Sequence, residues 1–408
     1  MKPHNDLRNA DKVVISMVLP DTVRDFGCIM GACEDNCCRN TTWTISIDEG
    51  SYKKYQALGG EVGQRILDCI DATGPVYVMK QFEDGKCPLM LDNGLCYVHK
   101  ELGAEYLSQT CTTYPRGNCL FGNQIEFYLS LSCPEVVRHV LYRKKGISFV
   151  EERKVLAAPP PKGSFDTEKA MARDVLAKLI SFRKLSLKEK LLYMGMFMRS
   201  LGRLNIYGDY ERSFRKTVQN YQKNIKDARK SLGDVVAKLN VDEADARGAY
   251  LSMLGALSAH LATPVASHPV GIVNEEYYKI MGSFKDDMFE GRISYLCETF
   301  DRLIVPYVNA NPFVFENYLM YSLMSTRFLS DTNNFAEAYA AFAGEFVTML
   351  VFACMFRESE TFGDEEMVAA IYLFHRRVSH SPVLRKKLGE LFKDTALVFL
   401  VSALGGIK

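Results

Sequence analysis

The sequence predicts a mainly α protein in two parts, a small cysteine-rich α+β module at the N-terminus and an irregular all-α domain after it. Three observations carry that reading. Ten of the 12 cysteines precede residue 134, so one region uses thiols for a purpose the rest does not share. The run Ala157-Ala158-Pro159-Pro160-Pro161-Lys162-Gly163-Ser164 can neither continue a helix nor sit inside a sheet. Beyond it the apolar spacing switches to the helical period. The expected organisation is a cysteine module over 1–156, a Pro-rich linker over 157–164 and an all-α domain over 165–408.

Within the module, Thr42 to Ile47 and Val76 to Met79 are short β-prone runs set between Gly, Asp and Asn turn residues. Ser51 to Leu58 reads as helix, so Gly59-Gly60-Glu61-Val62-Gly63 after it is a plain turn; a nucleotide-binding glycine loop needs a strand in front. After the linker, Asp166 is the expected N-cap of a helix carrying Met171, Val175, Leu179 and Phe182. Ser186-Leu187-Lys188-Glu189 has the capping-box form ahead of Leu191, Leu192 and Met198. Phe214, Val218, Tyr221, Ile225, Ala228, Leu232, Val235 and Leu239 alternate spacings of four and three, which predicts one long helix packed on a partner helix of the same chain. Further helices are expected at Phe289 to Ile304, after Asn311-Pro312, over the Ala-rich Phe335 to Arg357, and after Ser381-Pro382.

Hydrophobic residues at 48% and charged residues at 24% exclude wholesale disorder and collagen-like structure. With Lys+Arg 50 against Asp+Glu 49, the net charge of +1 excludes a global nucleic-acid footprint. No apolar run follows the N-terminal charges as in a secretory signal. Phe346 to Phe356 and Ala396 to Leu404 fall short of the ~18 residues of a membrane span. A soluble, cytoplasmic protein without a membrane or nucleic-acid partner is expected.

Four cysteines arrive together in Cys28-Ile-Met-Gly-Ala-Cys33-Glu-Asp-Asn-Cys37-Cys38, and Cys87-Pro88, Cys96, Cys111 and Cys133-Pro134 follow. Disulfides, zinc and an iron–sulfur cluster compete as explanations. A chain without an export signal seldom keeps disulfides. Zinc favours paired Cys-x(2–4)-Cys knuckles, a spacing that Cys33 and Cys37 meet without a second such pair. A [4Fe–4S] cluster takes a more dispersed cage and often has proline after a ligand cysteine. Cys69, Cys119, Cys297 and Cys354 read as small apolar fillers, and His99 and His139 as core or surface histidines.

Phe26-x-Cys28-x4-Cys33-x3-Cys37-Cys38, Trp43, Asp48, Cys87-Pro-Leu-Met-Leu-Asp92, Cys96, Leu102-Gly103, Cys111, Tyr114-Pro115-Arg116 and Leu131-Ser132-Cys133-Pro134-Glu135 together resemble the flagellin lysine N-methylase (FliB) family. The cysteine part also resembles zinc- or iron-chelating domains of the CxxCxxCC type. The resemblance implies methyl transfer from S-adenosylmethionine to lysines of flagellin, with a [4Fe–4S] cluster, or zinc as the alternative metal, on ligands from Cys28, Cys33, Cys37, Cys38, Cys87, Cys96, Cys111 and Cys133. A non-enzymatic metalloprotein whose helical domain binds a protein partner is the rival reading.

The sequence names no catalytic residue. Arg116 is the candidate clamp for a cofactor carboxylate, with Tyr114 the second candidate cofactor-binding residue, and Tyr97 and Tyr114 are candidates to line an amine-binding aromatic wall or to accept a proton through water. Radical chemistry is not required, because a deprotonated lysine amine attacks a methyl sulfonium directly. The radical motif Cys-x3-Cys-x2-Cys is also broken, its third position after Cys33 and Cys37 falling on Asn40.

Overall fold

A computed structural model describes residues 13–39, 44–82, 85–121, 124–156, 167–204, 207–236, 247–248, 250–251, 253–254, 289–325, 328–329, 334–356, 362–378 and 382–408. Trp43, the linker at 157–164, Asp166, Leu239 and Ser381 lie outside them. In chain order the first part holds β1 (Val13–Pro20), α1 (Asp21–Asp25), β2 (Ser46–Ile47), α2 (Glu49–Leu58), α3 (Gly60–Asp68), β3 (Ile70–Asp71), β4 (Tyr77–Met79), α4 (Tyr97–Leu102), α5 (Gln109–Thr113), β5 (Arg116–Phe121), β6 (Gln124–Leu129), α6 (Pro134–Leu141) and β7 (Phe149–Leu156). The second part is helical: α7 (Thr167–Ile180), α8 (Leu187–Gly202), α9 (Tyr210–Asn224), α10 (Ala228–Val236), α11 (Phe289–Thr299), α12 (Val305–Ala310), α13 (Pro312–Ser325), α14 (Phe335–Ala353), α15 (Asp364–Val378), α16 (Pro382–Phe392) and α17 (Ala396–Leu404). The expected class, a small α+β region followed by a helical one, is the observed class.

Two sheets organise the first part. The larger has the order β5-β6-β1-β7: β5 and β6 form an antiparallel hairpin, β6 runs parallel to β1, and β1 pairs antiparallel with β7 from Val13↔Leu156 to Pro20↔Phe149. The smaller is antiparallel, in the order β2-β4-β3. Gly59 and Gly60, both with φ of 58°, turn α2 directly into α3 with no strand ahead of them.

Apolar burial divides into two cores. The small one gathers Ile45, Ile47, Tyr55, Ile66, Ile70, Met79, Leu89 and Val98. The large one is the helical core, and it also takes in Phe26, Leu129, Leu131 and the buried face of α6 from before the Pro-rich stretch. Arg173 of α7 grips Glu126 of β6 with both terminal nitrogens, at 2.8 and 2.6 Å, which fastens the helices to the sheet.

The helical part follows its sequence signals with local changes in the winding of two helices. Ser186 and Glu189 form the reciprocal capping box at the start of α8. The seam from Phe214 to Leu232 faces the core as expected, but the helix tightens into a 3-10 turn at Ile225–Asp227 instead of running straight. Such a turn eclipses residues three apart, which puts Ile225 and Ala228 on the same buried line. A single π turn at Phe300–Ile304 precedes Pro306, which lacks the amide an α turn needs.

Helix α14 sits among α8, α15, α16 and α17 and is buried over almost its whole length. Among the described residues it is the one helix long and apolar enough to cross a membrane, and 89% of that window is buried inside the fold. Its hydrophobicity on every side is what a central core helix requires.

Candidate metal centre

Cys87 and Cys96 bracket a tight reversal of the chain. Met90 N–H donates to the Cys87 carbonyl (2.9 Å), Leu91 N–H to Leu95 O (2.8 Å) and Tyr97 N–H to Leu89 O (2.8 Å). The turn is possible because Gly94 takes a φ of 78°. Cys87 N–H also donates to the Cys38 carbonyl at 2.8 Å, which lays this reversal against the vicinal pair Cys37-Cys38. Asn36 laces the two segments: its Oδ1 accepts from Cys38 N–H (3.0 Å) and its Nδ2 donates to Gly94 O (3.1 Å).

Five thiols meet there. Cys38 interacts with Cys37 and with Cys96, while Cys87 and Cys111 lie within electrostatic reach of Cys96. Cys87 is buried, Cys38 and Cys96 are half-buried, and Cys37 and Cys111 reach solvent at the mouth. Protein still surrounds those two thiols closely enough that desolvation weighs on their charge.

Acidity is distributed unevenly across this set. The hydrogen bond from Cys38 lowers Cys37 to about 7 against the cost of burial, and the Arg376 charge adds to the lowering. Cys96 falls to about 6 through Cys38 and through the His99 and Val98 amides at the start of α4. Cys38, which interacts with both, is driven far up. Burial pushes Cys87 up to about 12 and Cys111 up to about 11.

The other three candidates form a separate set. Cys133 stands at the N-cap position of α6, with no side-chain cap bond, and lies within electrostatic reach of Cys33 and Cys28. Burial raises Cys133 to about 12 and Cys33 to about 11. Cys28 is exposed and accepts from Met30 N–H at 3.4 Å. Core membership follows the same division, since Cys38, Cys87 and Cys96 pack with the small core and Cys133 with the large one.

The residues between the two sets are those that join the module to the helices. Glu34 receives Arg138 Nη2 of α6 at 2.7 Å, and Arg138 also holds Glu365 at the start of α15. Asp35 receives Arg376 Nη1 of α15 at 2.6 Å. Tyr114 stands near Cys37, Cys133 and Arg376, with its hydroxyl 3.1 Å from Ser132 Oγ. Arg116 is exposed; it donates to the Phe26 carbonyl at 3.0 Å and lies by the Phe26 ring. Tyr97 lies under the Arg65 guanidinium at 4.0 Å, and His139 Nε2 meets the Thr22 carbonyl at 3.1 Å. Asp35, Asn36, Ser132 and Arg376 were not legible as site residues. For Asp35 and Asn36 the only signal is a position between candidate cysteines, and for Arg376 there is none.

Among the described residues no group of three or more His, Cys, Asp or Glu side chains is already arranged to hold a metal ion. The donor set nevertheless suits a thiophilic metal: five thiols within electrostatic reach of one another, two of them acidified toward thiolate.

The helical part decides the relationship. The family model of the FliB lysine N-methylase C-terminal domain matches residues 173–403. The chain belongs to the FliB lysine N-methylase family. The FliB match spans α8 to α16 whole and contains Arg376, so part of what surrounds the thiols comes from the matched region. The flagellar biosynthetic protein FliU of Salmonella muenchen is 31% identical over 150 residues, which cover 34% of this chain and 85% of that protein. Lysine-N-methylases of Salmonella choleraesuis (strain SC-B67) and Salmonella typhimurium (strain LT2) are each 33% identical over 138 residues, 31% of this chain. The chain spans 33% of the length of each of these two. No solved structure matches it.

Proposed function

We propose that this FliB-family protein is a cytoplasmic, S-adenosylmethionine-dependent protein-lysine N-methyltransferase that acts on flagellin and carries a [4Fe–4S] cluster in its cysteine module. The observation that carries the reading is the lysine N-methylase match over residues 173–403. The names of the relatives, lysine-N-methylase and flagellar biosynthetic protein, agree with it.

Methyl transfer to lysine forms an N–C bond as the S–C bond of the sulfonium breaks; sulfur keeps the electron pair and the amine sheds a proton to solvent or a base. In this reading four of the eight candidates hold the cluster, drawn from Cys37, Cys38, Cys87, Cys96 and Cys111 at the mouth and from Cys28, Cys33 and Cys133 of the neighbouring set. A bound cluster would supply a cross-link between the Cys33–Cys38 loop and the Cys87–Cys96 reversal. Arg116, open to solvent, is assigned to the carboxylate of S-adenosylmethionine and Tyr114 to the wall beside it.

The test is incubation of anaerobically purified protein with flagellin monomers and S-adenosylmethionine, with iron, sulfide and zinc quantified in the same preparation. Flagellin should gain mass in steps of one methyl group on lysine side chains. Binding to flagellin without mass change would overturn the enzymatic reading. Stoichiometric zinc without acid-labile sulfide would replace the cluster with zinc.

A further inference from the structure

Arg376 lies on α15 and is only 7% exposed. Its guanidinium makes three directed hydrogen bonds: Nη1 to Asp35 Oδ2 (2.6 Å), Nη2 to the Asp35 carbonyl (3.0 Å) and Nε to the Ser132 carbonyl (3.0 Å). Asp35, 3% exposed, is midway between Cys33 and Cys37, and Ser132 immediately precedes Cys133. One rigid planar group therefore fixes two backbone segments that each carry candidate metal ligands. Ser132 is braced in turn, its Oγ 2.6 Å from Ser130 Oγ and 3.1 Å from the Tyr114 hydroxyl.

A buried ion pair used only for stability adds little, because desolvation offsets its attraction. Two of the three contacts here go to main-chain carbonyls, which fix position and bring no countercharge. An arginine fork can hold three acceptors in one plane, whereas a lysine ammonium is a point charge without that geometry. The contacts thus place the loop as well as neutralise Asp35.

We propose that Arg376 is a positioning residue that sets the Cys33–Cys37 loop against Cys133, so that the helical domain completes a thiol site the cysteine module does not assemble alone. The proposal rests on the reading of these thiols as metal ligands. It places one determinant of metal binding in α15, 341 residues from the loop it holds.

The test uses the full chain, metal-free and reduced, with alkylation by iodoacetamide followed cysteine by cysteine by mass spectrometry, and then titration with zinc alone. Arg376→Gln combined with Asp35→Asn removes the fork without leaving an unpaired buried charge, so the fold survives. In this double variant Cys33 and Cys133 should alkylate roughly tenfold faster, with zinc affinity reduced to a similar degree. Core Cys354, fully buried and remote from the loop, serves as the internal reference and should not change. Arg376→Lys, which keeps the charge but not the fork, should behave like the double variant. Unchanged alkylation of Cys33 and Cys133, a parallel rise at Cys354, or full rescue by lysine would each overturn the proposal. None of these outcomes bears on methyl transfer to flagellin, which is read separately.

Discussion

The Tyr321 hydroxyl closes on both main-chain groups of Leu129: it donates to the Leu129 carbonyl at 2.7 Å and accepts from the Leu129 N–H. β1 pairs with β6 only over residues 124–126, so by Leu129 the strand has lost that neighbour, and a side chain of α13 takes its place. Tyr321→Phe keeps the ring and leaves two buried backbone groups unpaired, at about 1–3 kcal/mol each. A loss of roughly 2–4 kcal/mol in urea unfolding is expected. A loss under about 0.5 kcal/mol would show that water or a backbone shift replaces the hydroxyl.

Asp48 ties the start of α2 to the start of α5, which carries Cys111. Its carboxylate accepts from Ser51 N–H (2.9 Å), Ser51 Oγ (2.7 Å) and Gln109 N–H (2.9 Å). These bonds, the Gln109 amide foremost, hold its pKa down to about 2. The folded value lies below the unfolded one of about 3.9, so the contribution is complete above that pH and fades as pH falls toward 2. Asp48→Ala should therefore cost about 1 kcal/mol at neutral pH. The gap to the parent protein should narrow between about pH 4 and pH 2. Urea midpoints at several pH values check this, and a gap that stays constant through that window refutes the assignment.

Asn36 contributes through two bonds, one to each thiol-bearing segment. Asn36→Ala removes both and should cost about 1–2 kcal/mol of stability. Retention of metal on dialysis against a chelator should fall with it. Asn36→Asp keeps the acceptor for Cys38 N–H, loses the donor to Gly94 and sets a negative charge beside the thiols. It should retain metal no better than the alanine variant, and retention at the parent level would remove Asn36 from the site.

Cys38→Ser removes the central thiol of the five-thiol set, so most bound metal should be lost and the small core loosened, because metal binding and folding are coupled where the local core is small. Cys354→Ala, in the helical core, should leave metal content unchanged while costing about 1 kcal/mol for the lost sulfur contacts. Metal analysis of both variants beside Cys28→Ser separates the two thiol sets. Equal retention in all three would contradict the division.

Helical character, the capping box at Ser186 and Glu189, the buried seam from Phe214 to Leu232 and the concentration of thiols before residue 134 were legible in the sequence by itself. Each is a local signal, written in spacings of three and four or in the company a residue keeps along the chain. The tertiary structure alone decided that β1 runs parallel to β6, that the eight candidate thiols divide into sets of five and three, and that Arg376 holds the loop between Cys33 and Cys37. Those contacts join segments from about fifty to 341 residues apart, where no periodicity links the partners. A buried arginine and the aspartate it meets look locally like any other charged residues on a helix and in a loop. Only the packing that excludes water from both makes them partners.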